Sequence, residues 1–127
     1  MPYKPHRGSC LLIPFNEIPH LFVILNNPCP DGLCLTVMLT STKPGKKHDP
    51  ACEFFGGEHK FITKHCFALY RLTDQLAARH ISNMVEKGYY TEKEDLNEDQ
   101  MVRVINGLFN SDETKPRLIK YAKSIPI

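Results

Sequence analysis

Histidine, hydroxyl and ammonium side chains fall in the first half of the chain at places where they could act on an anion. His20 follows Pro19 at the mouth of an apolar run from His20 to Asn26. Imidazole suits proton transfer near neutrality because its unperturbed pKa is about 6.5. Thr40 and Ser41 close a later run, Leu33 to Ser41, and their hydroxyls can donate to an oxyanion. The segment after them, Thr42 to Pro50, carries Lys43, Lys46 and Lys47 around Pro44 and Gly45, a loop able to neutralise a compact anion. Arg7 offers a further cation, and His59 follows Gly56-Gly57-Glu58, where a turn could present it. Residues 1–71 hold eight Lys and Arg against five Asp and Glu, whereas residues 72–127 hold eight against nine. An anionic ligand therefore belongs with the first half, although a net charge of +2 does not announce one by itself.

Other chemistries fit less well. A zinc site from His48, Cys52, His59, His65 and Cys66 has spacings that match none of the usual metal modules, so neither metal nor cofactor is expected. The five cysteines include no Cys-x-x-Cys. Cys10, Cys34 and Cys66 each lie inside an apolar run, as reduced, buried thiols do. Cys66 beside His65 hints at a cysteine nucleophile, but neighbours in a strand point to opposite faces. His80 falls on the apolar stripe of a helix and reads as a packed core residue.

The elements that must position these groups change character near residue 72. Before it, β-prone runs separated by Pro, Gly and Asn predict strands over 9–15, 20–26, 33–41, 52–55, 59–63 and 65–72. After it, helical periodicity predicts a helix capped by Asp74 and ended by Gly88, and a second opened by Asn97 with Gln100. A short third helix starts near Thr114 and Pro116. Glu92, Glu94, Asp95, Glu98 and Asp99 precede or occupy the start of the second helix, where the macrodipole favours negative charge. At 127 residues the chain reads as a single α+β domain, a β-barrel over 1–72 with a helical extension over 73–127 packed on it. No apolar run reaches the roughly 18 residues of a membrane-spanning helix. The basic N-terminus leads into a stretch broken by Pro14, Asn16 and Glu17, unlike a signal peptide, so the expected location is the cytoplasm.

Three segments in order carry a family resemblance. Arg7-Gly8-Ser9 leads into an apolar strand. Pro19-His20-Leu21-Phe22-Val23-Ile24-Leu25-Asn26 is followed after a loop by Val37-Met38-Leu39-Thr40-Ser41. Lys64-His65-Cys66-Phe67-Ala68-Leu69-Tyr70-Arg71 opens the last strand. Together, over about residues 5–75, they resemble the small SH3-like barrel of MazF/PemK-type toxin ribonucleases. The resemblance implies a largely antiparallel barrel and a homodimer held in check by a cognate antitoxin. It also implies metal-independent cleavage of RNA by attack of the ribose 2′-hydroxyl on its own phosphate. On that reading His20 and Thr40 are catalytic, while Arg7, Ser41, Lys43, Lys46, Lys47 and His59 hold RNA. His20 stands at or next to the family's arginine, and His65-Cys66 replaces its Asp-Ser pair. Those departures leave a second reading open, a catalytically inert SH3-like barrel that binds nucleic acid or protein.

Overall fold

Strand β1 (Cys10–Phe15) turns back into β2 (Ile18–Ile24), with Phe15 opposite Ile18. The two residues between them, Asn16 and Glu17, both have positive φ (51° and 68°), the backbone that a two-residue hairpin demands. Next come β3 (Leu33–Ser41), the short β4 (Glu53–Phe54) and β5 (Cys66–Ala77), then helix α1 (Ala78–Glu86) and β6 (Thr91–Lys93). Helices α2 (Glu98–Asn110) and α3 (Pro116–Lys123) complete the chain. This computed structural model describes residues 2–127. All pairings are antiparallel, in the order β4-β5-β3-β2-β1-β6, and the sheet curls into a half-barrel.

Period-two alternation separates the two faces of this sheet. Leu21, Val23, Leu35, Val37, Leu39, Ala68 and Tyr70 point one way and are buried with Met101, Val104 and Leu108 of α2 and Leu118 of α3. Gly107 permits this approach, because a Cβ there would collide with the Tyr70 hydroxyl, which donates to the Val104 carbonyl at 2.6 Å. On the other face, Leu11, Ile13, Ile24 and Cys34 take Ile81 of α1. Met38, Phe67 and Leu69 form a separate cluster on that face, flanked by Phe15, Phe22 and Leu72.

Strand β5 bends sharply. Between the pairs Thr36↔Asp74 and Met38↔Leu69, β5 advances five residues while β3 advances two. Such a bulge coils the sheet and re-aims the side chains it carries.

Several expectations need correcting. β5 runs to Ala77, so Asp74 caps no helix; it is a strand residue opposite Thr36, and its carboxylate accepts from the Gln75 N–H. Cross-strand pairing with Leu33 to Thr36 outweighs the local capping signal, and α1 begins at Ala78, whose N–H donates to the Gly32 carbonyl. Residues 59–63 form no strand. The segment closes on itself through a His59–Ile62 bridge and a Gly57 N–H to Ile62 carbonyl bond. His80 is exposed beside Tyr90, since α1 starts later and turns only Ile81 fully inward. Glu92, read as an acidic residue preceding α2, instead lies in an edge strand, Thr91–Lys93, paired with β1. The Asn97–Gln100 capping box is present with both reciprocal bonds.

Candidate active site

His20 is on the face of β2 that carries Phe22, and Thr40 is on the face of β3 that carries Met38. The β2–β3 register pairs Leu21 with Leu39 and Phe22 with Met38, so one step further sets His20 across from Thr40. Non-adjacent chain ends thus meet because the strands are antiparallel neighbours. The His20 Nδ1 lies 2.9 Å from the Ile18 carbonyl. A carbonyl can only accept, so Nδ1 carries a hydrogen, and the tautomer this favours for a neutral ring leaves the lone pair on Nε2, where a general base needs it. Phe15 meets the ring edge-on at 6.0 Å between centroids and limits its rotation.

These groups line a groove of about 530 Å³. Its floor is the Met38, Phe67 and Leu69 cluster. His20, Thr40 and Ser41 stand on one wall, and Lys43, Lys46, Lys47, His48 and Arg71 on the others. A smaller cleft of about 240 Å³ shares His20, Thr40 and Ser41 and adds Thr63 and Lys64. Among the described residues, no carboxylate lines the groove. Among the described residues, its four cations have no carboxylate partner within 4.0 Å, whereas Arg7, Lys60, Arg103 and Arg117 all do. Unpaired cations around one concavity concentrate positive potential far beyond what the whole-chain charge implies.

The basic loop is tied at both ends. Its first residue, Thr42, donates its backbone N–H to the His65 carbonyl, and the buried Asp49 accepts from Ser111 beyond α2 at 2.5 Å. Lys43, Lys46 and Lys47 are therefore carried on an anchored segment and not on a free tether.

Arg7 and His59 lie outside the groove. Arg7 donates to Glu98 at 2.8 Å. The buried His59 donates from Nε2 to the Glu94 carbonyl at 2.6 Å and accepts at Nδ1 from the Phe61 N–H at 3.0 Å. Both of its ring nitrogens are occupied. Cys66 is buried on the α2 face, and burial pushes its thiol up to about 11, which leaves no thiolate for nucleophilic attack.

Two groove residues were not singled out for this role from sequence. Arg71 follows Phe67 and Leu69 at the same strand parity, a signal that was available, and it lines the groove beside them. His48 sits in the basic loop, but its direction depends on Glu53, which accepts from its Nε2 at 2.7 Å.

A curled antiparallel half-barrel with α2 and α3 on one face, and α1 beside a cationic groove on the other, defines an α+β class of small proteins. Within it, the chain is similar to a chain of the MazE–MazF complex from Deinococcus radiodurans. The TM-score is 0.56 at 17% identity, over 85% of this chain and 94% of that one. The fold is therefore MazF-like. No known family profile matches the sequence, and no curated protein matches it. No helix among the described residues is long and apolar enough to cross a membrane.

Proposed function

We propose that this chain is a toxin of the MazF type that cleaves single-stranded RNA in the groove without a metal. The observation that supports it most is the meeting of His20 and Thr40 with four unpaired cations on a MazF-like fold. In the reaction, His20 Nε2 takes the proton from a ribose 2′-hydroxyl as that oxygen bonds to the adjacent phosphorus. The P–O5′ bond breaks and the imidazolium returns a proton to the leaving oxygen. The products are a 2′,3′-cyclic phosphate and a 5′-hydroxyl. Thr40 donates a hydrogen bond to a phosphorane oxygen, and Arg71 with the loop lysines balances the charge that develops there. The apolar floor gives a base somewhere to rest. The proposal includes a two-fold homodimer restrained by an antitoxin, in keeping with a structural neighbour that is itself a MazE–MazF complex.

The test is incubation of the purified chain with mixed RNA in excess EDTA, with mapping of the fragment ends. Fragments with cyclic phosphate and 5′-hydroxyl ends at a recurring sequence are expected. Intact RNA would favour an inert binding barrel.

A further inference from the structure

His48, Glu53 and His65 belong to three segments, the basic loop, β4 and the residue preceding β5, yet they converge on one point. Glu53 Oε1 lies 2.7 Å from Nε2 of His48 and 2.7 Å from Nε2 of His65. The three donor atoms all lie within 4.8 Å of one another. Each ring is held in place. Phe55 stacks parallel on His65 at 4.7 Å between centroids, and Phe67 packs against His48 at 5.0 Å. All three side chains remain partly open to solvent.

The Thr42 hydroxyl lies within reach of both the Nδ1 and the carbonyl of His65, so the ring can adopt the tautomer that a metal ligand needs. When the Thr42 hydroxyl donates to the His65 carbonyl at 3.4 Å, its oxygen accepts from Nδ1 at 3.2 Å. With the hydrogen on Nδ1, a neutral ring turns a bare Nε2 lone pair toward an ionised carboxylate. Two acceptors at that distance repel unless a positive centre joins them. A proton on Nε2 is one such centre. A dication is another, and in binding it would also take the place of the hydrogen that His48 Nε2 shares with Glu53.

We propose that His48, Glu53 and His65 form a binding site for a first-row transition dication of the zinc class, with solvent as the remaining ligand. Two imidazole nitrogens and one carboxylate oxygen suit such an ion. The Nδ1–H bond to Thr42 is the kind of outer contact that metal-bound histidines carry. Tetrahedral zinc with donors at about 2.0–2.1 Å sets neighbouring donors about 3.3 Å apart. Each N···O separation would thus open by about 0.6 Å, within reach of small rotamer adjustments. Cys52 and Cys66, which a sequence-based zinc site would include, lie in the core beneath α2, while Glu53 supplies the third donor. The ion would clip the lysine-bearing loop onto β4 and β5. This inference does not depend on RNA cleavage.

The experiment titrates the metal-free full chain with Zn²⁺ by calorimetry and with Co²⁺ by visible spectroscopy, using Mg²⁺ as a control. One Zn²⁺ per chain is expected, with Co²⁺ bands of a nitrogen–oxygen site, no thiolate charge-transfer band, and no response to Mg²⁺. Thr42→Val should weaken Zn²⁺ binding about 10- to 100-fold, and His48→Ala or Glu53→Gln should weaken it further. Melting curves in metal-free buffer identify any variant that has unfolded, and His48→Ala, on the loop, keeps the comparison available if Glu53→Gln does not fold. Absence of binding by the wild type, binding that survives a folded His48→Ala variant, or a thiolate band would overturn the assignment.

Discussion

Removing one cation from the groove should change how RNA binding responds to salt by an amount that follows from the groove's lining. Lys43, Lys46, Lys47 and Arg71 all face it without carboxylate partners among the described residues. Single strands give a log–log salt slope of about −0.7 per neutralised phosphate, so four contacts predict about −2.8 and three about −2.1. Between about 50 and 200 mM salt, wild-type affinity should fall about 50-fold, against about 20-fold for Lys43→Ala or Arg71→Ala. Arg7→Ala is the internal control, since Arg7 is already paired with Glu98 outside the groove. The assay is fluorescence anisotropy of a short 2′-O-methyl RNA, which lacks the attacking hydroxyl, so binding is read without cleavage. A slope unchanged by Lys43→Ala and Arg71→Ala, or lowered equally by Arg7→Ala, would place the phosphates elsewhere and refute the reasoning.

Two further predictions concern the scaffold. Gly107→Ala forces a methyl group against the Tyr70 hydroxyl and to 2.9 Å from the Cys52 Cβ; it should cost about 1–3 kcal/mol or more, read as a lower urea midpoint. An unchanged midpoint would contradict the close approach of α2 to the sheet. The hydrogen bond from Arg103 holds the Glu58 carboxyl below its ordinary 4.5. A depressed folded-state value contributes stability that is present above the unfolded value and is lost as pH falls through the folded one. Glu58→Gln should therefore be less stable than wild type at neutral pH, with the gap closing below the ordinary 4.5. A gap that stays constant into acid would show that the ion pair contributes nothing.

What the sequence discloses about this chain follows the range of the interactions involved. Alternating apolar runs and the Asn26–Gly32 turn cluster mark β1 to β3, and the Asn97–Gln100 pair marks α2, because each is settled within a few residues. His20, Thr40, Ser41 and the loop lysines were likewise legible as a group, since antiparallel neighbours return chain ends to one place. The exceptions are set at a distance. β5 extends past Asp74 only because β3 pairs with it there, and the three residues of β6 are strand only because β1 offers an edge. The direction of His48 depends on a carboxylate from another strand. His59 was drawn inward by a carbonyl on a segment 35 residues away.

The most direct measurement of the central claim is single-turnover cleavage of an RNA oligomer in excess EDTA, comparing wild type with His20→Ala. If His20 moves the proton at Nε2, the folded variant should bind RNA as wild type does and cleave it about 10²- to 10⁴-fold more slowly. Thr40→Val should lose about 10²- to 10³-fold if its hydroxyl supports the phosphorane. Wild-type cleavage by a folded His20→Ala variant would contradict the account.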